Sequence, residues 1–486
     1  MKRALFLIIL FVLPTDCIFA RRLWEPEDIM PLFSIRSAVG LELTEKYLYV
    51  AVSEGVVRFP RFDREIDFAS WESIPIDAEV VDVRAVGDNI HILTPDGAIV
   101  RREIDFFAQF EPPESELSRY SPDIGGCPPF GERYSMPPGF YLGSADTIWD
   151  LHLNAFNITD CASDKQGDIY FTTDGLGLFR VERRIGIAER MGFGPCCNNI
   201  RAMHKGGDTL FFGGCDNLSI CAFSCFDNSS GFYSWVEGDY GVSFPNYGPV
   251  YDMVVYGRDI FLATAGGLAL YDMQGKSWLR PTGMGSVPID VPHALTIFRD
   301  TLYIAASDGI YSMDLNNRIL VRRSSVGEGR FVDIDTAFGT VFAVGDFGAV
   351  KKEDSLFVRF NPPDGTLTNL VRCITCGPSG EAIFGSRTGI LIVEKSGRRT
   401  VLPNSIWLDG RTPEDIVATR LHLWIATENG LYLYHRRRKT TRYMSEATDL
   451  PKTAIYRLLL DGDWLWLMTD IGLYRFFWNE PDRPEY

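Results

Sequence analysis

Residues 421–435 read LHLWIATENGLYLYH, and this stretch decides the fold class. A mostly apolar run is followed by the turn residues Glu428 and Asn429, then by Gly430 and a second apolar run. Two such runs around a tight turn are typical of the antiparallel strands of a hairpin. Glycine tolerates a positive φ after the turn, which lets the second strand re-enter the ladder in register. The stretch therefore predicts a β-hairpin.

The same phrase recurs along the chain. Intervals between successive motif glycines are 42, 80, 90, 42, 39, 41, 41 and 42 residues, so the unit is about 41 residues long. A degenerate copy, TLFFGGCDNLSICAF at 209–223, fills the interval of 90. A unit of this size, rich in β-branched and aromatic residues, fits one four-stranded propeller blade. The motif glycines are Gly55, Gly97, Gly177, Gly267, Gly309, Gly348, Gly389, Gly430 and Gly472.

These repeats predict an all-β fold, a β-propeller of about ten four-stranded blades over residues 21–486. The ninth unit shows the layout best, with strands expected at 414–419, 421–427, 431–435 and 440–444. The last unit, with strands expected at 454–460, 464–468 and 473–478, lacks its outer strand. Residues 32–35 are placed to fill that vacancy and close the ring, which removes exposed sheet edges. One large closed ring is the favoured arrangement, and two smaller propellers are the alternative.

An inserted loop is expected at residues 101–147, inside the interval of 80. It contains seven prolines, which disfavour regular strands. Loops this long in a compact fold are usually functional or disordered. Aromatic residues distinguish this one from a plain linker, so we expect it to pack over one face and to contribute to partner binding through Tyr120, Phe130, Tyr134, Phe140 and Tyr141.

The first twenty residues have the anatomy of a secretory signal peptide. A basic start is followed by an apolar run from Ala4 to Leu13, then Pro14 and a stretch that ends at Ala20. Ten apolar residues are too few to span a bilayer, and no later run reaches the length of a membrane helix. We therefore expect cleavage after Ala20 and an exported protein without a transmembrane anchor, located in the periplasm, on the outer surface or outside the cell.

The net charge of the protein excludes one class of partner. With 64 acidic and 48 basic residues the formal net charge is −16, which argues against nucleic acid as a partner.

In an exported chain most cysteines should be oxidised. Cys373 and Cys376 have CxxC spacing, and we favour a local disulfide or two loop cysteines over a redox or zinc site. No second CxxC or histidine pair completes a tetrahedral zinc set.

No catalytic motif is present in the sequence. The six histidines stand alone, and there is no HExxH, no GxSxG elbow and no GxxxxGK[ST] phosphate loop. We therefore predict no catalytic residues, no metal site and no cofactor. Facing carboxylates across a central funnel would still permit glycan lyase or hydrolase chemistry, so an enzyme remains an alternative.

An acid precedes the motif glycine in eight of the ten units. If these turns lie on one propeller face, the acids form a rim of carboxylates around it. Asp and Glu are also common turn formers that bond to local backbone donors. Two readings stay open: turn chemistry alone, or a rim that also recruits a cation or a basic partner. The residues are Glu54, Asp96, Asp174, Asp216, Asp308, Asp346, Glu428 and Asp470.

The copies LWIATENGLYLY at 423–434 and LWLMTDIGLYRF at 465–476 resemble the two-component regulator propeller repeat. The resemblance implies a propeller and a binding role. In that family the propellers usually form the periplasmic sensing part of hybrid histidine kinases. No kinase module follows the last unit here, so signalling within this chain is not expected. Similar repeats also occur in exported bacterial proteins that act in surface assembly.

The sequence thus predicts an exported, non-catalytic binding or interaction module. Its partner is expected to be a protein, or a small-molecule or glycan ligand, on a propeller face. A structural component of an envelope or extracellular assembly is one alternative, and a propeller enzyme acting on glycans is the other.

Overall fold

The computed structural model describes residues 28–61, 71–110, 134–144, 146–151, 153–192, 194–214, 221–231, 233–237, 248–279, 289–322, 329–360, 367, 370–447, 450 and 452–479. These residues form ten β-sheets and two four-residue helices, which confirms the all-β prediction. The predicted signal peptide at residues 1–20 lies outside the described residues. Within them, no helix has the length and apolar character that crossing a membrane requires.

The chain begins with the short strand β1, Ile29–Leu32, and then builds three sheets. Sheet 1 contains β2 Gly40–Leu43, β3 Tyr47–Val52, β4 Gly55–Pro60 and β5 Glu72–Pro75. Sheet 2 contains β6 Asp82–Val86, β7 Asn89–Thr94, β8 Gly97–Arg102 and β9 Asp105–Phe110. Sheet 3 has six strands: β10 Phe140–Ser144, β11 Thr147–Asp150, β12 Ala155–Ser163, β13 Ile169–Thr173, β14 Leu178–Val181 and β15 Ala188–Met191.

Sheets 4 to 7 follow, each with four antiparallel strands in chain order. Sheet 4 contains β16 Ile200–Gly206, β17 Thr209–Gly214, β18 Cys221–Asp227 and β19 Tyr233–Glu237. Sheet 5 contains β20 Val250–Tyr256, β21 Asp259–Thr264, β22 Gly267–Asp272 and β23 Ser277–Leu279. Sheet 6 contains β24 Pro292–Phe298, β25 Thr301–Ala306, β26 Gly309–Asp314 and β27 Leu320–Arg322. Sheet 7 contains β28 Phe331–Ala337, β29 Thr340–Gly345, β30 Gly348–Glu353 and β31 Leu356–Arg359.

Sheets 8 to 10 complete the chain. Sheet 8 contains β32 Val371–Cys376, β33 Ala382–Ser386, β34 Gly389–Val393 and β35 Arg399–Pro403, followed by helix α1, Asn404–Trp407. Sheet 9 contains β36 Pro413–Ala418, β37 His422–Thr427, β38 Gly430–His435 and β39 Thr440–Tyr443, followed by helix α2, Met444–Ala447. Sheet 10 contains β40 Ile455–Asp461, β41 Trp464–Thr469 and β42 Leu473–Phe477. The strands predicted for the last two units agree with these bounds to within about two residues.

Sheet 10 takes its fourth strand from the other end of the chain. Strand β1 pairs antiparallel with β42, with Leu32 opposite Leu473. The prediction that an N-terminal segment completes the last sheet is confirmed, although the segment lies three residues earlier than the expected 32–35. The displacement has a local cause, because residues after Leu32 bind elsewhere. The Ser34 N–H donates to Asn198 Oδ1 at 2.5 Å, and Ser37 forms a bridge with Asp174.

Contacts between the first strands of neighbouring sheets divide the sheets into two groups. In sheets 4 to 10 each first strand contacts the next (β16, β20, β24, β28, β32, β36, β40), and β40 contacts β16 again. These contacts make a cycle of seven sheets. In the remaining group, β2 contacts both β12 and β6, so sheet 1 lies between sheets 3 and 2. One apolar core joins the groups, with Leu41 of sheet 1, Leu178 of sheet 3 and Leu467 of sheet 10 among its members.

The motif glycines serve two different purposes. Seven of the nine have a positive φ, as the hairpin argument predicts. Gly55 and Gly389 do not, and each is required by a close approach of the fourth strand instead. A Cβ on Gly55 would lie 2.2 Å from the Ile74 carbonyl oxygen, and one on Gly389 would lie 2.7 Å from that of Leu402.

Two local predictions need correction. The inserted loop does not run through 101–147, because β9 lies at Asp105–Phe110 and β10 at Phe140–Ser144; residues 111–133 lie outside the described residues. Cys373 and Cys376 are not joined, since both are free thiols. They lie on strand β32, where residues i and i+3 are roughly 10 Å apart, well beyond the Cα separation that a disulfide allows.

A candidate binding site at the centre of seven sheets

The first strands of sheets 4 to 10 share one irregularity at their start. In each, the pairing with the second strand shifts between the first and third residues, as between Pro413 and Asp415 in β36. A β-bulge of this kind re-aims the residue that is left without a cross-strand partner. The residues at this bulge position are Arg201, Tyr251, His293, Val332, Arg372, Glu414 and Tyr456.

All seven bulge residues line one cavity of about 160 Å³, which we call the central cavity. Its other lining residues are Arg330, directly before β28, and Arg457 of β40. One residue from every sheet of the cycle thus reaches the same place. The cavity is open on one side, and Arg330 and Arg372 are exposed there.

The lining of the central cavity is basic although the protein is acidic. It contains four arginines and one carboxylate, Glu414. Arg201, Arg330 and Arg372 form no ion pair with the residues the structure describes. Arg201 instead donates from Nε to Asn199 Oδ1 at 3.2 Å, and its guanidinium lies 5.0 Å from the centre of the Tyr456 ring. Three arginine charges are therefore available to a ligand.

Burial shifts the pKa values of His293 and Glu414 in the directions that favour their neutral forms. Burial, followed by the nearby Arg330 guanidinium, lowers the pKa of His293 to about 4, so its imidazole is neutral at pH 7. Its Nε2 lies 2.9 Å from Ser307 Oγ and 3.3 Å from Arg330 Nε. Burial also raises the pKa of Glu414, although Arg372 opposes the change. The arginines therefore dominate the charge of the cavity.

Beneath the cavity lies an acidic cluster around Arg457. Its Nη1 is 3.2 Å from Asp333 Oδ1 and 3.9 Å from Asp415 Oδ1. Burial raises the pKa of Asp252 to about 6 and that of Asp415 to about 7, because desolvation outweighs the attraction of Arg457. Burial also raises the pKa of Asp335, two residues after Asp333 on β28, to about 6, although it accepts backbone hydrogen bonds from Thr336 and Cys376.

The buried aspartates link neighbouring sheets. Each accepts a backbone N–H of the next sheet's first strand: Asp252 from Leu295 at 2.7 Å, and Asp415 from Leu458 at 2.8 Å. Asp333 does the same with Ile374 at 2.8 Å. Sheets 1 to 3 repeat the device, with Asp160 Oδ2 accepting the Leu41 N–H at 2.9 Å and Glu42 accepting that of Ala85 at 3.1 Å. Each of these carboxylates therefore stabilises the contact between two neighbouring sheets.

The predicted acidic rim is divided between the two groups of sheets. Its turns lie at the same end of the sheets as the cavity, because the first residue of each first strand pairs with the last residue of the second, as Pro413 pairs with Thr427. Two acids of these turns lie near the cavity lining: Asp346 acts to raise the pKa of His293, and Glu428 acts to raise the pKa of Glu414. Asp308 and Asp470 lie in equivalent turns of sheets 6 and 10.

Other rim residues show local turn chemistry. Asp174 accepts both the backbone N–H and the side-chain amide of Asn157, at 2.7 and 2.8 Å, and Asp470 accepts the Thr453 hydroxyl. Glu54, Asp96 and Asp174 belong to sheets 1 to 3. Asp216 lies outside the described residues.

Three of the five aromatic residues named for the predicted loop lie among the described residues. Tyr134 and Phe140 pack against the core of sheet 3, where Phe140 meets Phe179 edge to face at 6.3 Å. Tyr141 is 41% exposed. Tyr120 and Phe130 lie outside the described residues. Among the described residues, no group of three or more His, Cys, Asp or Glu is placed to hold a metal ion.

Sequence reasoning missed the cavity residues, although a positional signal exists. Five bulge residues lie sixteen positions before their motif glycine, and Arg372 lies seventeen before Gly389. The residue types at this position differ from sheet to sheet, so only spacing could have found them.

No protein-family model matches the chain, and no curated protein matches its sequence. Among solved structures, PorZ, a surface component of the type-IX secretion system of Porphyromonas gingivalis, is 17% identical at a TM-score of 0.50, over 90% of this chain and 68% of that one. The extracellular domain of a putative hybrid two-component system from B. thetaiotaomicron is 12% identical at a TM-score of 0.49, over 92% of this chain and 71% of that one. A second such domain is 15% identical at a TM-score of 0.46, over 90% of this chain and 61% of that one. In fold the chain is similar to PorZ.

Proposed function

We propose that the protein is an exported, non-catalytic binding module, and that sheets 4 to 10 form a closed seven-bladed propeller whose central cavity is the binding site. Sheets 1 to 3 then form a separate unit on the same core. One observation carries the proposal: all seven sheets aim their bulge residue into one cavity. Pockets with a few convergent polar groups are the usual place for a ligand.

Binding fits the cavity better than catalysis does. A carboxylate that acts as general acid or base must direct an oxygen at the substrate. The buried aspartates instead accept backbone N–H groups, and Asp333 also pairs with Arg457. Glu414 is the one carboxylate of the lining itself. The alternative of a glycan lyase or hydrolase predicts products when the protein is incubated with polysaccharides, with or without a divalent metal, and we expect none.

A blocking substitution tests the binding site. Val332 lines the cavity from β28, and Val332→Trp would fill much of its volume. Thermal shifts with a panel of oligosaccharides, peptides and metabolites should identify compounds that stabilise the wild-type protein and not V332W. The matched control is Leu356→Trp, because Leu356 is 51% exposed on the outer strand of the same sheet. Equal stabilisation of all three proteins by every active compound would contradict a site in the cavity.

A scaffold role in a surface assembly is the second candidate, and exposed apolar side chains favour it. Of fourteen large apolar side chains exposed among the described residues, nine lie between residues 81 and 187, on sheets 2 and 3. Ile104 is 92% exposed and Leu151 is 73% exposed. Exposed apolar patches mark interaction surfaces, and sheets 2 and 3 each carry several of these side chains. If this role is correct, the protein should co-purify with envelope partners after crosslinking, and Ile104→Asp should release at least one of them.

A further inference from the structure

The structure assigns the central cavity to a ligand that presents a single oxyanion group, a phosphate, sulfate or carboxylate, within neutral or cationic surroundings. This inference rests on the proposed function, since it names the ligand class of the same site. It follows from three features: unpaired arginines, the size of the cavity, and the acids that border it.

The arginines supply the positive charge. Arg201, Arg330 and Arg372 come from sheets 4, 7 and 8, and none is neutralised by an ion pair with a described residue. A guanidinium presents a planar fork of donors that matches carboxylate and phosphate oxygens. The contact of Arg201 with the Tyr456 ring at 5.0 Å orients one such group towards the cavity lining. The site is therefore equipped to bind an anion.

The size of the cavity accommodates one oxyanion group. A volume of about 160 Å³ has room for a tetrahedral or planar oxyanion together with several water molecules. The rest of a sugar or peptide that carries the oxyanion extends outwards through the open side. The bulk of such a ligand therefore faces the turns that surround the opening.

Those turns carry the opposite charge. Asp346 lies close enough to influence His293, and Glu428 influences Glu414. Both acids are exposed. A second anionic group on the ligand would meet these carboxylates and be repelled, whereas a neighbouring ammonium would be attracted. A basic centre with acidic turns around it thus discriminates between a lone oxyanion and a polyanion.

Neutral groups complete the lining. His293 is uncharged at pH 7, so it adds a hydrogen-bonding edge without adding charge, and its ring centre lies 5.7 Å from that of Tyr251. Tyr251 and Tyr456 bring phenol groups to the same cavity. These groups suit the hydroxyl or amide neighbours of an oxyanion better than a second charge.

Probes that share one scaffold test the inference by isothermal titration calorimetry. Glucose is the neutral reference, and glucuronate, glucose 6-sulfate and glucose 6-phosphate offer the three oxyanions. Glucosamine 6-phosphate adds an ammonium, and glucose 1,6-bisphosphate adds a second anionic group. We expect no binding of glucose, binding of at least one singly substituted anion, tighter binding of glucosamine 6-phosphate than of glucose 6-phosphate, and weaker binding of the bisphosphate.

Variants locate the effect. Arg372→Ala and Arg330→Ala should each weaken binding of the best anionic probe about 10- to 100-fold, as loss of a charge-assisted hydrogen bond does. Both residues are exposed, so folding should be preserved. Arg437→Ala is the matched control, because Arg437 is exposed in the turn after β38, at the far end of sheet 9 from the cavity. Glu428→Gln should reduce the preference for glucosamine 6-phosphate.

Two results would overturn the inference. One is binding of an anionic probe that survives Arg372→Ala and Arg330→Ala together. The other is tighter binding of the bisphosphate than of the monophosphates. If instead a neutral compound binds and Val332→Trp abolishes its binding, the ligand class is wrong and the proposed function stands. If no compound binds in a way that V332W affects, the proposed function fails as well.

Discussion

In several sheets a buried threonine forms a hydrogen bond at the turn between the second and third strands, at the end of the sheet where the cavity lies. The Oγ1 atoms of Thr264, Thr427 and Thr469 donate to the carbonyl oxygens of the motif glycines that follow, at 2.7, 2.8 and 2.7 Å. Ser386 does the same with Gly389 at 2.8 Å. The Thr of the repeat therefore has a structural task, because its hydroxyl adds a second hydrogen bond at the turn to a glycine carbonyl group such as that of Gly472, which also accepts the Thr469 N–H at 3.1 Å.

Removing that hydroxyl should cost stability. Thr427 is fully buried, and Thr427→Val keeps its shape while removing the hydroxyl hydrogen bond to the Gly430 carbonyl group. We expect a loss of about 1 to 2 kcal/mol in the free energy of unfolding, measured by urea titration. Thr427→Ser retains the hydroxyl and should recover most of the loss. A valine variant as stable as the wild-type protein would show that the bond contributes nothing.

The motif glycine can be tested against another glycine. Gly430 has a φ of 96°, and an added Cβ would lie 2.4 Å from Ser445 Oγ. Gly462 has a φ of 60° with nothing within 4 Å of an added Cβ. Gly462→Ala should cost about 1 kcal/mol from backbone strain alone, and Gly430→Ala should cost clearly more because the clash adds to it. Equal melting temperatures for the two variants would contradict this account.

At the scale of elements, strand β1 completes sheet 10 from the far end of the chain. Leu32 is fully buried in the shared core, opposite Leu473. Leu32→Ala should lower the free energy of unfolding by about 3 kcal/mol, as large-to-small changes in cores do. Amide hydrogen exchange should accelerate in β42, its pairing partner. Leu356→Ala, at a residue 51% exposed on β31, is the control and should change neither quantity. Unchanged exchange in β42 would exclude a closing role for β1.

The aspartates that link first strands predict a pH dependence of stability. The pKa of Asp415 in the folded protein, about 7, lies above its ordinary value of 3.8. The folded state therefore holds this proton more tightly than the unfolded state does. Its stabilising contribution is complete below about pH 4 and is lost as the pH rises through 7. Asp252, with a pKa of about 6, acts in the same direction.

Urea unfolding between pH 5 and pH 8 measures this effect. Stability should fall with rising pH over this range, and Asp415→Asn should make the fall smaller because one titrating group is gone. Asp88→Asn, at an exposed turn residue of sheet 2, should leave the slope unchanged. A slope in the Asp415 variant equal to that of the wild-type protein would show that this carboxyl group does not titrate as described.

For the whole molecule, the sequence was informative wherever one residue type repeats for a local reason. Gly430 and Thr427 mark a turn, so the hairpins and the spacing of about 41 residues could be predicted from residue identity. The bulge position carries Arg372, Glu414 and Tyr456 in consecutive sheets, because each side chain faces the cavity rather than a neighbour that recurs in every repeat. Nothing at that position repeats except the spacing, and the cavity was therefore not predicted.

The grouping of the sheets was also beyond sequence reasoning. The units of sheets 1 to 3 and of sheets 4 to 10 use similar phrases, and the contacts between first strands alone separate them. The predicted closing segment shows the same limit. Residues 32–35 have the apolar character of a strand, but Ser34 binds Asn198, which lies 164 positions along the chain.

A crystal structure of the protein with glucosamine 6-phosphate tests the central claim most directly. We expect seven sheets around one cavity, with the phosphate within hydrogen-bonding distance of Arg330 and Arg372 and the sugar directed towards Glu428. A cavity that holds only solvent while the compound lies elsewhere, or first strands of sheets 4 and 10 that do not meet, would contradict the account.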